Sequence, residues 1–432
     1  MVELDWLLFC FLFLYVGQSA FNIWVERINL IHSQRRADKA PAGFEEFIDE
    51  SKLAKTKEYA RAKTQVGMIE EIVSDVTTLI ILLSGLLPLI VRWSDKLGLS
   101  LIAAGLLFFF VPGLIHFLVE LPFSYYNAFV VEQEFGFNRS TLKLWTIDHI
   151  KGGLVAAFLF AAIFSILLLF ISWSPRFWWF WGFLLLSAVQ LVMAILYPVV
   201  LAPLFNKFEP VRDEELSAKI KAQMEKSGIR VKKILQMNAG IRSRHTNAYF
   251  TGIGKTKRIV LFDTLIESHT QEEIVAVLAH EAGHFKKKHV LKQLLIFACF
   301  SLAAFYATWL FIQWPLLFST FGFSAPLPYV GLFLAGVFWS KTAFFLQPLY
   351  MMISRRFERE ADIFAVEMLG GGAAMAGAMK RLAADNLSNL NPHPLYVWFH
   401  YSHPPIVERV ALLEGTEGNP KSREAIFKGT DF

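Results

Sequence analysis

The sequence predicts a mainly α, polytopic membrane protein of about seven transmembrane helices, with polar segments that carry a small β-sheet. Of its 432 residues, 55% are hydrophobic and only 18% are charged, whereas soluble globular chains carry about 25% charged residues. The apolar residues also cluster into runs long enough to cross a bilayer. A chain of this composition places much of its apolar surface against lipid.

Seven apolar runs reach the length of about 20 residues that a membrane-spanning helix requires. They lie at Leu4–Val25, Ile72–Val91, Leu99–Leu121, Gly152–Trp173, Phe177–Val200, Val290–Ile312 and Tyr329–Tyr350. The second run contains Asp75 and Pro88, so it could instead be a buried or re-entrant helix. The runs divide the chain into a first membrane region (1–201), a polar domain (202–289), a second membrane region (290–353) and a polar C-terminal region (354–432).

Basic residues are concentrated in the segments that follow the first, third, fifth and seventh runs. The positive-inside rule therefore predicts an N-terminus outside the cell, with the odd-numbered connections and the C-terminus in the cytosol. We expect the first run to be a retained anchor, because it lacks the basic lead and the cleavage site of a signal peptide. The two large polar regions are separated by two spans, so we expect both to emerge on the same side of the membrane.

The polar domain contains a metal-binding pattern on a predicted helix. A short apolar strand, Lys257–Phe262, is followed by Thr270-Gln-Glu-Glu273, which has the form of a capping box and predicts a helix start. That helix carries His280-Glu-Ala-Gly-His284. Residues four apart share a helix face, so both imidazoles can bind one cation, and Glu281 can contact a metal-activated water. A pattern with three fixed positions, such as His-Glu-x-x-His, also occurs by chance in roughly one chain of this length in twenty.

A catalytic zinc needs a third protein ligand and an open position. The two cysteines, Cys10 and Cys299, lie in apolar runs, so the ligand must be His, Asp or Glu. After the last span, Glu358 and Asp362 share a helix face, which suits a metal ligand and a group that orients a ligand histidine. We expect Glu360 to point elsewhere and to be solvated. An ordinary acidic helix face, with its arginines as partners, explains the same spacing equally well.

Several stretches resemble the integral-membrane type I CAAX prenyl endopeptidases, which trim prenylated proteins and peptide pheromones. They are His280–His284, Ser354–Asp362, His400–Arg409, Asn247–Phe250, Lys257–Leu265, Ala202–Phe208 and Glu134–Asn138. The stretches occur in the family's order along most of the chain. The resemblance therefore rests on much more than the metal motif.

The resemblance implies a helical barrel around a water-filled chamber, closed on the cytosolic side by a Zn²⁺ site with Glu358 as the third ligand. It implies that Asn247 lines the substrate cleft, that His403 faces the scissile carbonyl and that Arg409 braces the site. The expected fold class is thus a mainly α membrane protein of about seven transmembrane helices enclosing a chamber, with a zincin-like catalytic domain containing a small β-sheet. The connection from His289 to Glu358 is short and no retention tail is evident, which suggests a bacterial inner-membrane protein rather than one of the endoplasmic reticulum.

Under this interpretation Glu281 is the general base and His403 stabilises the oxyanion. Alternatively, His403 only packs beside Pro404 and Pro405 at a helix start. Asn247, Ala248 and Tyr249 offer an edge strand to an extended peptide, unless they form a simple turn. Ionisable groups at membrane depth usually face a cavity, so we expect Asp75, His116 and Glu120 to line the chamber, although pairing with lipid headgroups is a competing explanation.

The expected partners are a peptide or prenylated protein substrate and membrane lipid. Two other functions remain open at this stage: a quality-control protease without a prenyl requirement, and a multispan channel or transporter with a structural zinc. The net charge of +5 comes from residues scattered along membrane edges, so we expect no nucleic-acid binding.

Overall fold

The computed structural model describes residues 2–36, 39–251 and 256–415. Helices dominate the first membrane region. They run Trp6–Arg36 (α1), Glu50–Leu83 (α2), Leu86–Lys96 (α3), Leu101–Tyr126 (α4), Glu132–Glu134 (α5), Leu142–Trp173 (α6), Trp178–Leu196 (α7) and Ala202–Phe205 (α8). Two π-helical turns, Asn127–Val131 and Tyr197–Leu201, join α4 to α5 and α7 to α8.

The described residues form six helices long and apolar enough to cross a membrane, and up to seven if the bent pair α2–α3 is one span. Many large apolar side chains on these helices are exposed, among them Phe158 at 71%. On helices of this length and hydropathy, such a surface is typical of contact with lipid. The predicted fold class is confirmed.

The second predicted run, Ile72–Val91, is not one straight helix. α2 and α3 meet at an angle of 51°, and Gly85 between them has a left-handed φ of 81°, which glycine adopts without steric cost. Pro88 lacks an N–H and its ring would clash with the carbonyl of Ser84 in a continuous helix. The run therefore forms two helices joined at a bend, a geometry found in broken spans and in re-entrant loops.

The polar domain places a four-stranded sheet beside the helix that carries the histidine motif. Its elements are Phe208–Pro210 (β1), Glu214–Lys226 (α9), Arg230–Met237 (β2), Ala248–Thr251 (β3), Thr256–Phe262 (β4), Asp263–Ser268 (α10) and Gln271–Lys286 (α11). The strand order is β1-β2-β4-β3, with β2 and β4 parallel and the outer pairs antiparallel. Buried side chains of α9, the sheet and α11 form one apolar core, which fixes α11 on the sheet.

The remaining helices complete the membrane region and bring the second polar region to α11. They are His289–Phe311 (α12), Pro315–Thr320 (α13), Pro328–Thr342 (α14), Gln347–Leu369 (α15), Ala373–Asp385 (α16), Pro394–His400 (α17) and Ile406–Gly415 (α18). A 3₁₀ turn, Ala343–Leu346, joins α14 to α15. α12 follows α11 after a short bend, and α15 forms the last part of the final candidate span, so both helices of the candidate site adjoin membrane helices.

A cavity of about 1260 Å³ lies between α1, α2, α4, α6 and α14. Its lining is mostly apolar and includes Asp75 and His116, as expected. Glu120 is not among the lining residues and is exposed, so the prediction for this residue is wrong for this cavity. Lys341 donates to both Asp75 oxygens, at 2.7 and 2.8 Å, and Tyr15 donates to the same carboxylate at 3.0 Å. The ion pair ties α1, α2 and α14 together at the cavity wall.

Candidate metal centre

The candidate site lies where α11 packs along α15. α11 begins at a complete capping box, because the Thr270 side chain accepts from the Glu273 N–H and the Glu273 side chain accepts from the Thr270 N–H. Glu273 also accepts from Arg381 at 2.9 Å, which anchors the helix start to α16. Within the motif, Gly283 lies directly against Ala361 of α15. A residue without Cβ at this position lets the two helices approach closely.

Three side chains from these helices converge on one point. His280 Nε2 lies 3.1 Å from His284 Nε2 and 3.2 Å from Glu358 Oε2. His284 Nε2 lies 3.3 Å from Glu358 Oε1. Among the described residues, His280, His284 and Glu358 are the group of His, Cys, Asp and Glu side chains whose geometry could hold a metal ion.

The donor set fits a divalent transition metal. Two ligand atoms bound to a tetrahedral zinc at about 2.0–2.1 Å are about 3.3 Å apart, which is close to the separations observed here. Glu358 Oε2 is buried and has no hydrogen-bond partner among the described residues. A buried carboxylate oxygen without a donor is costly, and a cation between it and the two imidazoles would remove that cost.

A buried carboxylate lies beside His280. Its Nδ1 lies 2.8 Å from Asp362 Oδ1, and Asp362 is only 1% exposed. Arg409 donates to both Asp362 oxygens, at 2.8 and 2.7 Å. A hydrogen on Nδ1 leaves the lone pair of Nε2 directed at the metal position. Burial alone would lower the pKa of His280, but the Asp362 carboxylate raises it to about 9, so protons compete with a metal for this imidazole.

Glu281 and His403 border the same point. Burial raises the pKa of the Glu281 carboxyl, although the neighbouring imidazoles oppose this effect. A higher pKa makes the carboxylate a stronger base near neutral pH. His403 Nε2 lies 3.3 Å from Glu358 Oε1, and its side chain is 57% exposed. His403 therefore stands on the solvent side of the cluster, where a bound peptide could reach it.

An unpaired strand edge lies beside the motif helix. β3 pairs only with β4 in the described sheet, and it contacts α11. Ala248 and Tyr249 belong to β3, whereas Asn247 precedes it and accepts from the Phe262 N–H at 3.0 Å. The segment is thus an edge strand and not a simple turn. Its outer edge pairs with no other described strand, although Asn247 Oδ1 accepts from the Ala248 N–H at 2.8 Å, and an extended chain that displaced this oxygen could pair there.

Two residues near the site were missed or misjudged from the sequence. Glu360 lies outside the group of candidate ligands, as expected. Its carboxylate is not simply solvated, however, because it contacts His289 at 3.1 Å, Lys292 at 3.6 Å and Arg356 at 3.3 Å. His289 Nδ1 lies 3.0 Å from His284 Nδ1. The sequence held one signal for the contact between His284 and His289, namely a histidine five residues after the end of the motif.

Comparisons with known proteins agree with this architecture. Residues 29–207 match the model described as CAAX prenyl protease N-terminal, five membrane helices, and residues 210–417 match peptidase family M48. The CAAX prenyl protease 1 homolog of Arabidopsis thaliana is 34% identical over 388 residues, covering 86% of this chain and 89% of that protein. CAAX prenyl protease 1 of Saccharomyces cerevisiae is 34% identical over 407 residues, covering 87% of this chain and 88% of that protein.

A solved structure shows the same fold. The crystal structure of S. mikatae Ste24p superposes with a TM-score of 0.86 at 30% identity, covering 92% of this chain and 96% of that chain. The similarity extends over both the spanning helices and the region that carries the cluster of His280, His284 and Glu358. The chain therefore belongs to peptidase family M48 and is a membrane-embedded metalloprotease of the CAAX prenyl protease type.

Proposed function

We propose that the protein is a zinc endopeptidase that removes the C-terminal tripeptide of prenylated proteins. The observation that carries the proposal is the convergence of His280, His284 and Glu358, with Glu281 beside them and the more exposed His403 on the solvent side. Three protein ligands with an open position are typical of catalytic zinc, whereas a structural zinc is usually closed by four. This argues against a channel or transporter with a structural metal.

In this proposal the bound Zn²⁺ supplies Lewis acidity that lowers the pKa of water toward neutrality. Glu281 accepts a proton from the attacking water and delivers it to the leaving amine nitrogen, as general base and then general acid. The His403 imidazole hydrogen-bonds the oxygen of the former carbonyl as charge develops there, a contribution worth about 3–4 kcal/mol in comparable sites. Asp362 and Arg409 hold His280 in the tautomer that ligates.

The substrate strand pairs with β3 in this proposal. Backbone pairing gives affinity with little demand on side-chain identity, which suits an enzyme that accepts different C-terminal sequences. Peptides N-methylated at alternate positions test the pairing. Methylation of residues that face β3 should lower kcat/KM strongly, and equal cleavage of all methylated peptides would contradict docking on the strand.

Cleavage of matched farnesylated and unprenylated peptides by the purified protein tests the function. We expect mass spectrometry to show release of a tripeptide from the farnesylated peptide, loss of cleavage with a chelator, and recovery when zinc is restored. Equal cleavage of both peptides would favour a quality-control protease without a prenyl requirement. Full activity in chelator would contradict the zinc mechanism.

We further propose that the protein lies in a bacterial inner membrane with the metal centre on the cytosolic side. Lys287 is exposed between α11 and α12, so chemical labelling at this position identifies the side of the membrane on which the metal centre lies. In a variant with Cys10 and Cys299 replaced by serine, Lys287→Cys should react with an impermeant thiol reagent only after cells are opened. Labelling of intact cells would reverse the assigned orientation.

A further inference from the structure

His289 is a buried histidine that the mechanism above does not use. It is 1% exposed and is stacked on Phe357, with ring centroids 4.4 Å apart and an angle of 9° between the planes. Its Nδ1 lies 3.0 Å from His284 Nδ1, and its Nε2 lies 3.1 Å from Glu360 Oε2. Both ring nitrogens are thus engaged, one by the candidate ligand and the other by a carboxylate.

The backbone is bent to bring this ring to His284. α11 ends at Lys286, and α12 begins at His289. Lys288 between them has a φ of 57°, a left-handed conformation that is uncommon for residues other than glycine. Backbone strain of this kind persists only where the surrounding structure imposes it, and it is concentrated at functional sites.

The contacts determine where the hydrogens lie. His284 Nε2 faces His280 and Glu358, so it must keep its lone pair to act as a ligand, and the hydrogen of His284 is on Nδ1. That hydrogen can be donated to His289 only if His289 Nδ1 is the acceptor. The hydrogen of His289 is then on Nε2, where Glu360 accepts it. One tautomer of each ring satisfies every contact.

We propose that His289 is a positioning residue, which with Glu360 holds His284 in its metal-binding tautomer and orientation. The two ligand imidazoles are then fixed by different devices. His280 is fixed directly by Asp362, whereas His284 is fixed by a two-step chain through His289 to Glu360. Because Glu360 lies on α15 and His289 begins α12, the relay also couples the metal centre to two membrane helices. The inference rests on the proposed metal site.

Zinc affinity of the full-length protein, measured by competition with a chromophoric chelator, tests the relay. His289→Phe keeps an aromatic ring on Phe357 but removes the acceptor, and we expect zinc binding to weaken about 10- to 100-fold. Glu360→Ala should also weaken binding, and it tests the relay even if His289→Phe fails to fold. The electronic spectrum of the cobalt-substituted protein should change in both variants, because the orientation of a ligand changes.

Two variants separate the hydrogen-bond relay from simple packing. His289→Gln carries one acceptor and one donor, spaced much like the two ring nitrogens, and should retain affinity close to that of the unmodified protein. Arg356→Ala removes a largely exposed partner of Glu360 that lies 3.3 Å away and should also change little.

Unmodified affinity and spectra in both His289→Phe and Glu360→Ala would overturn the proposal. So would a loss in His289→Gln as large as that in His289→Phe. Absence of zinc binding by the unmodified protein would instead overturn the proposed function, and this inference with it.

Discussion

Replacing Gly283 with alanine should separate α11 and α15, the two helices that carry the proposed metal ligands. A Cβ built at this position would lie 2.8 Å from Ala361 Cα and 3.0 Å from Ala361 O. Both are backbone atoms, so no side chain can rotate away. Ala361 lies between Glu358 and Asp362, so any movement of α15 at this residue moves a candidate ligand and the partner of His280.

The size of the effect follows from these distances. Carbon atoms in contact prefer a separation of about 3.5–4.0 Å, so α11 and α15 must part by roughly 1 Å. Overpacking of this kind costs about 1–3 kcal/mol, and a misplacement of about 1 Å at a catalytic site can lower activity about 100-fold. Intrinsic helix propensity acts in the opposite direction, because alanine is favoured over glycine by about 1 kcal/mol. The steric effect should therefore prevail.

Gly283→Ala should be compared with Gly67→Ala, because Gly67 is a helical residue of α2 with nothing within 4 Å of an added Cβ. We expect Gly283→Ala to lower kcat/KM about 10- to 100-fold and to weaken zinc binding, and Gly67→Ala to change neither. Normal activity and zinc affinity in Gly283→Ala would refute the inference that close helix packing sets the ligand geometry.

Three further predictions concern single side chains. Glu281→Gln should keep zinc bound while abolishing cleavage, and turnover at the full rate would remove Glu281 from the mechanism. Arg409→Met leaves the buried Asp362 without its bidentate partner and should weaken zinc binding about 10- to 100-fold, with a smaller loss in Arg409→Lys. A chelator titration measures the zinc affinity of both variants. Affinities equal to that of the unmodified protein would show that Arg409 does not position the site. Lys341→Met should destabilise the protein by about 3–5 kcal/mol, because it removes the cation that balances the charge of the Asp75 carboxylate. Adding Asp75→Asn should restore most of the stability in thermal unfolding; no recovery would show that the ion pair is not the source of the loss.

Most of the membrane architecture could be predicted from the sequence, because hydropathy and helix length are local properties. All seven apolar runs correspond to helices, and the predicted strand, Lys257–Phe262, lies within β4. The break between α2 and α3 was not predicted, although Gly85 and Pro88 were its local signals. An apolar run indicates that a segment enters the membrane, but whether the helix bends within that run depends on a few backbone angles.

The candidate site was predictable only where spacing carries the information. The four-residue spacings of His280 to His284 and of Glu358 to Asp362 correctly placed each pair on one helix face. The role of Glu360 could not be read in this way, because it depends on a turn at Lys288 that brings His289 back toward the motif. The ion pair between Asp75 and Lys341 joins helices that are far apart in the sequence, so spacing within a single helix could not predict it.

Zinc content of the purified protein is the decisive measurement for the proposed metal centre. Elemental analysis should find one zinc per chain in the unmodified protein and almost none in Glu358→Gln, because this variant replaces the only carboxylate of the donor set with a neutral amide. Absence of stoichiometric transition metal in the unmodified protein, even after reconstitution, would contradict the account. So would a full zinc complement in Glu358→Gln, which would place the third ligand elsewhere.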